Sequence, residues 1–252
     1  MLLYRGSPHA AQEPLVKALA LAEIPRLSKP FQLLATARTP DGTELTLHSH
    51  DTHFYLRANR QPLMGTNASE SEKVLACLAC ARSHAPAKAR VLIGGLGFGF
   101  TLRQVLQIVG AEACVHVAEL LPQVVAWNRE YLEAVNGQLL DDKRVEVFVE
   151  DVFQVISHAP AGHYDAILLD VDNGPVAMVQ DGNARLYQTQ GFAAITRALK
   201  PGGRVAFWSA STDHAFAKRL AKAGFKVETV PAKAWPQAKR STHTIFVGDR
   251  LR

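Results

Sequence analysis

Cysteine is scarce in this sequence, with three residues in 252. So small and odd a number staples no secreted fold of this length, and a reducing compartment, the cytoplasm, is expected. Long apolar runs are missing as well. None approaches the ~18 residues a bilayer-crossing helix needs, and the opening Met1-Leu2-Leu3-Tyr4 is interrupted at once by Arg5, Gly6, Ser7 and Pro8. Neither a membrane span nor a signal peptide is expected. There is no internal repeat and no low-complexity tract, and only 13 prolines accompany 48% hydrophobic residues. Collagen-like structure and wholesale disorder are thereby excluded. Basic residues outnumber acidic ones, 28 to 23, yet they are scattered. Without a basic stripe interleaved with aromatics, or an N-P-P-Y-type base-methylation motif, no nucleic-acid partner is expected.

What is present falls into two patterns, divided by the polar stretch Ser83-His84-Ala85-Pro86-Ala87-Lys88. The predicted units are 1–84, a helix and β-hairpin domain, and 85–252, a Rossmann-like domain. In the first, residues 14–27 carry Leu15, Leu19 and Ala22 at helical spacing. Residues 31–37, 43–49 and 54–58 then alternate with period two, as half-buried strands do. The Pro40-Asp41-Gly42 turn joins the first two, and residues 69–82 read as a helix. In the second unit strands and helices alternate. Apolar 91–93, 114–118, 145–149, 166–169 and 205–208 read as strands, with a helix carrying Leu102, Val105, Leu106 and Val109 after the first. A helix with Val124, Trp127, Tyr131 and Val135 inward is opened by Pro122. Another, through Phe192, Ile195 and Leu199, stops at Lys200-Pro201-Gly202-Gly203. This predicts an α/β fold, a doubly wound and mostly parallel sheet with helices on both faces. Residues 225–230 and 242–247 have no helix between them and predict an antiparallel C-terminal hairpin.

Between the first apolar strand of that unit and its helix lies Gly94-Gly95-Leu96-Gly97-Phe98-Gly99-Phe100, where such a sheet places its ligand loop. A dinucleotide fingerprint would require glycine at Phe100, whose ring obstructs a pyrophosphate. The spacing present, Gly95, Gly97 and Gly99, favours a nucleoside such as S-adenosylmethionine. Glu119 closes the next strand, in position to accept from both ribose hydroxyls. Asp151 follows the third strand, where an acid meets an adenine amino group, and Asp170 ends the fourth at the crevice.

Together with Leu199-Lys200-Pro201-Gly202-Gly203, these residues make the chain resemble class I S-adenosylmethionine-dependent transferases, and within them the spermidine synthase family. The similarity runs from about Thr43 to Trp208. Residues 93–106 are similar to that family's glycine motif and following helix. Asn136-Gly137 and Leu140 to Val145 resemble the segment before its third strand, and Tyr164 to Asp170 its catalytic strand. The resemblance implies a donor site at Gln61, Gly95, Gly97, Gly99, Glu119, Leu120, Asp151, Val152 and Asp170, with Asp170 catalytic, and a homodimer. It implies an acceptor side at Glu70, Asp172, Asn173 and Tyr187, with Arg185 beside it. Three departures touch the chemistry. Phe98 stands where the family has an acid inside the loop, Asn173 where it has a second acid, and Glu70 where it has a tyrosine. Methyl transfer from S-adenosylmethionine to a small-molecule acceptor is therefore the expected reaction. The alternative is aminopropyl transfer from decarboxylated S-adenosylmethionine, as in spermidine synthases, and a non-catalytic nucleoside-binding module comes third.

No metal is expected. His48, His50 and His53 cluster without a second group of ligands and read as a polar hairpin turn, and Cys77 and Cys80 read as two small residues of a helix. Trp208, Trp235 and His243 are candidates to close the pocket.

Overall fold

The computed structural model describes residues 30–39, 42–80, 88–171 and 181–251. The expected helix over 14–27, the division near residue 84, Asp172 and Asn173 lie outside them. Residues 31–252 belong to one compact unit.

Period-two sequence builds an antiparallel sheet paired in chain order from β1 (Gln32–Arg38), β2 (Glu44–His50), β3 (His53–Ala58) and β4 (Gln61–Gly65). Leu45 and Leu47 of β2 and Leu56 of β3 point to the core, and their neighbours alternate outward. β4 has no counterpart in the sequence reading. Pro62 breaks its pattern, and such a strand is tolerated at a sheet edge, which is where β4 lies.

The chain then runs through α1 (Glu70–Cys80), β5 (Arg90–Gly94), α2 (Phe100–Ile108), β6 (Cys114–Ala118), α3 (Pro122–Glu130), the single turn α4 (Glu133–Asn136) and β7 (Val145–Phe148). It continues through α5 (Val152–His158), β8 (Tyr164–Leu169), α6 (Thr189–Ala198), β9 (Leu199–Ser209), α7 (His214–Lys222), β10 (Phe225–Ala232) and β11 (His243–Arg250). The seven-stranded sheet has the order β10-β11-β9-β8-β5-β6-β7. Strands β5 to β9 pair in parallel, and β10 and β11 form the expected antiparallel edge. Successive residues of a strand face opposite sides. Val91 and Ile93 of β5 thus join α1, α2, α3 and the first sheet in one core, while Leu92 joins α5, α6 and α7 in the other. A buried Arg204–Asp249 pair, with Nε 2.7 Å from Oδ1, links β9 to β11, and Arg204 Nη1 also donates to the Leu78 carbonyl of α1 at 2.7 Å.

Three local readings are corrected. The helix opened by Pro122 ends at Glu130, so Tyr131 and Val135 pack half-buried on the core from beyond its end, beside Leu132, 1% exposed. Lys200 to Gly203 do stop α6 but lie within β9, as an irregularity between the Tyr164–Leu199 and Ala166–Arg204 pairs. α5 and α7 were not anticipated; each is capped by an aspartate, Asp151 accepting from Phe153 N and Asp213 from Phe216 N. Among the described residues no helix is long and apolar enough to cross a membrane.

Candidate active site

The strand order reverses around β5, with β6 and β7 on one side and β8 and β9 on the other. A crevice therefore opens at the carboxyl ends of β5 and β8, where open α/β sheets bind ligands. The glycine loop and Asp170 meet there. Gly95 has φ +89°, and a Cβ on it would lie 2.3 Å from the Asp170 carbonyl oxygen, so only glycine allows the ends of β5 and β8 to approach this closely. Polar side chains hold the loop in shape. Glu119 accepts from Leu96 N at 2.9 Å and from Leu121 N at 3.0 Å, Asn128 Nδ2 donates to the Gly97 carbonyl at 2.8 Å, and Asn136 Nδ2 donates to that of Phe98. Asn128 has no signal in the sequence, and Asn136 enters it only within the Asn136-Gly137 resemblance; the packing of α3 and α4 beneath the loop reveals what both hold.

The crevice contains an open cleft of about 750 Å³, its solvent-facing mouth included. Gly95, Gly97, Glu119, Leu120, Asp151, Val152 and Asp170 of the expected donor site line it. Leu45, Leu56, Leu63 and Met64 of the first sheet form its apolar wall. Gln61 is exposed at the start of β4 and is not among the lining residues, its place being taken by Leu63 and Met64. Gly99 also stands off the cleft as the left-handed N-cap of α2, packed against Asn128. Asp151 caps α5 through Phe153 N at 2.8 Å and is paired with Arg185, whose guanidinium lies 4.4 Å over the Phe153 ring.

A second cavity, about 890 Å³, adjoins the first. Phe98, Phe100, Glu72, Trp208 and His243 line it, and Asp170 lines both cavities. Thr101 Oγ1 donates to Asp170 Oδ2 at 2.6 Å, and Ser71 Oγ to Glu72 Oε2 at 2.6 Å. Burial, and then the negative charge of Glu72, push the Asp170 carboxyl up to about 7 against the lowering effect of the Thr101 hydroxyl. Burial likewise raises Glu72, and it lowers His243 so that its imidazole is neutral near pH 7.

The acceptor-side expectations need correction here. Glu70 points to Lys73, 3.3 Å away, and the acid facing the cavity is Glu72. Helical phase explains the difference: Ser71 and Leu75 are the buried face of α1, and Glu72 lies beside them. Tyr187 is 4% exposed in an aromatic core with Phe207 and Phe216, and its hydroxyl donates to the Val171 carbonyl. Arg185 serves Asp151 instead of an acceptor. The Trp208 and His243 rings meet at 4.8 Å, tilted by 34°, in the cavity wall, whereas Trp235 is exposed away from it. The histidines of the β2–β3 hairpin are occupied locally: His48 with Thr46, His50 stacked on Phe31, and His53 with Thr66.

Residues 72–225, more than half of the chain, match the family described as spermine/spermidine synthase domain. The chain is 37% identical over 116 residues to a polyamine aminopropyltransferase of Mycobacterium tuberculosis, a stretch covering 45% of this chain and 21% of that protein. It is 32% identical over 120 residues to putrescine N-methyltransferase 1 of Nicotiana tabacum, covering 48% of this chain and 30% of that protein. The match thus spans less than a third of either relative. The structure of a spermidine synthase from Thermotoga maritima superposes with a TM-score of 0.68 at 16% identity, over 87% of this chain and 73% of that one, which shows the shared fold.

Proposed function

We infer the activity from the premise that this chain belongs to the spermine/spermidine synthase domain family: it transfers an aminopropyl group from decarboxylated S-adenosylmethionine to a primary amine of a diamine or polyamine. The observation that carries this reading is the charge of the two cavities. Glu119, Asp170 and Glu72 line them, Asp151 being already paired with Arg185, and no described lining residue is lysine or arginine. A donor that kept its methionine carboxylate would leave that charge without a cation to pair with, at a large desolvation cost. An aminopropyl ammonium and a cationic acceptor both meet carboxylates instead. Aminopropyl transfer thereby displaces methyl transfer as the main reading, because Glu72 supplies a second carboxylate beside Asp170.

In this mechanism Glu119 holds the ribose hydroxyls and Asp170 stands where donor and acceptor meet. Asp170 takes the proton that the acceptor ammonium must lose before it can attack. The nitrogen lone pair then forms a bond to the methylene carbon next to the sulfonium, the carbon–sulfur bond breaks, and its electron pair stays on sulfur as the neutral thioether of methylthioadenosine. A carboxyl that titrates near 7 suits this transfer, being ionised enough to accept a proton yet basic enough to hold it. Glu72 binds the acceptor's charge and orients the attacking nitrogen in line with the sulfonium.

A second reading, methyl transfer to a diamine, is favoured by Phe98 in the loop, which places a ring where the family has an acid. Calorimetry separates the two. Methylthioadenosine is expected to bind more tightly than S-adenosylhomocysteine, whose carboxylate finds no partner; the reverse order would overturn the aminopropyl reading and favour the second.

A further inference from the structure

At the opposite end of β6 from Glu119, three side chains of different chemistry converge. Cys114 and His116 are two residues apart on β6 and face the same side of the sheet. His116 is registered directly against Glu146 on the edge strand β7. Their ligand atoms all lie within 4.8 Å of one another, and His116 Nε2 is 3.5 Å from Glu146 Oε2. Two ligands at zinc bonding distances and a tetrahedral angle stand about 3.4–3.6 Å apart. The His–Glu pair already has that separation, and the Cys114 sulfur lies within 4.8 Å of both ligand atoms.

We propose that Cys114, His116 and Glu146 form a site for a borderline-soft divalent cation of the zinc type, with water in the fourth position. A mixed sulfur, nitrogen and oxygen donor set suits such an ion better than magnesium or calcium, which take oxygen ligands. The histidine is already oriented for the task. Its other ring nitrogen, Nδ1, lies 2.9 Å from the Tyr164 hydroxyl, so a metal on Nε2 leaves Nδ1–H to donate to that oxygen. An outer partner on the remaining nitrogen is the usual companion of a metal-bound histidine. Rings fix the imidazole further, with Phe148 at 5.0 Å and Tyr164 at 5.6 Å, both edge-on. The Glu146 side chain is 62% exposed, which leaves an entry path, and its charge offsets the nearby Arg90 guanidinium. The hairpin histidines drew attention in the sequence by their density, whereas this site is assembled across strands 30 residues apart and leaves no local motif. It does not rest on the transferase reading.

Bridging β6 to β7 ties down the edge of the sheet, so the ion is expected to raise the melting temperature, because it binds only the folded chain. The test is titration of the metal-depleted full chain with zinc against a chromophoric chelator, together with cobalt(II) absorption. One equivalent is expected to bind, with a thiolate-to-cobalt charge-transfer band and a rise in melting temperature. Cys114→Ser and Glu146→Gln should each weaken binding at least about tenfold, and Tyr164→Phe about 10–100-fold, as loss of an outer partner does. Glu146 is exposed, so its variant keeps the fold and tests the site independently of core packing. Absence of a one-to-one complex would overturn the proposal. So would binding that survives unchanged in Glu146→Gln and Cys114→Ser, or a cobalt spectrum without the thiolate band.

Discussion

Removing the Glu119 carboxylate should separate two roles of that side chain, one in the fold and one in donor binding. Its two oxygens accept from Leu96 N at 2.9 Å and Leu121 N at 3.0 Å, joining the glycine loop to the start of α3, and the residue is 8% exposed. Glu119→Ala leaves both N–H groups without that acceptor. At about 1–3 kcal/mol for each unsatisfied donor, reduced where cleft water can reach it, the loss of stability should be about 2–4 kcal/mol. Glu119→Gln keeps one acceptor oxygen and turns an amide NH₂ towards the other donor, so about 1–2 kcal/mol is expected. Both substitutions also remove the charge that the proposed function assigns to the ribose hydroxyls. A hydrogen bond to a charged group contributes about 1.5–3 kcal/mol, so methylthioadenosine should bind about 10–100-fold more weakly to Glu119→Gln. Urea denaturation reads the first effect, and calorimetry on the folded variant reads the second. Parental affinity in a folded Glu119→Gln would refute the placement of the ribose at this carboxylate.

Asp170→Asn should cut turnover by about 10²–10⁴-fold, the range for loss of a general base, while leaving nucleoside affinity nearly unchanged; equal loss of both would make Asp170 a binding residue, and unchanged turnover would remove it from the mechanism. For the parent enzyme kcat/KM should rise through about pH 7 as Asp170 ionises, and the variant should lose that inflection. Because folding raises this carboxyl from 3.8 to about 7, the stability it contributes is complete below pH 3.8 and is lost as pH climbs through 7. Asp170→Asn should therefore gain on the parent in melting temperature between pH 5 and pH 8, as paired thermal scans would show. Gly95→Ala would set a Cβ 2.3 Å from the Asp170 carbonyl at φ +89°, so a loss of about 2 kcal/mol or more and a displaced loop are expected from denaturation and donor titration. Asp249→Asn strips the buried Arg204 of its counter-charge and should cost about 3–5 kcal/mol by urea denaturation.

The parallel sheet was legible because its strands are apolar on both faces and glycine, proline and polar residues punctuate them. The residues of the cleft were legible for a related reason. Gly95, Glu119, Asp151 and Asp170 all follow strand ends, so the strands bring them to one crevice. β4 escaped because an edge strand needs no alternation and tolerates Pro62. α5 escaped because Val152, Phe153, Val155 and Ile156 look like strand; the signal that would have found it is the Asp151 cap. On the acceptor side, the resemblance to the family points to Glu70. Only the phase of α1 distinguishes Glu70, paired with Lys73 at its surface, from Glu72 in the cavity. Tyr187 failed for another reason, since an aromatic beside a site and an aromatic in a core carry the same local sequence, and Phe207 and Phe216 decide between them.

The most direct measurement is mass spectrometry of the spent donor, with the purified chain supplied in turn with decarboxylated and intact S-adenosylmethionine and with putrescine or spermidine as acceptor. Steady formation of methylthioadenosine from the decarboxylated donor, together with an acceptor heavier by one aminopropyl group, is the expected result, and Glu72→Gln should raise KM for the amine. S-adenosylhomocysteine from the intact donor, with no methylthioadenosine under either condition, would contradict it.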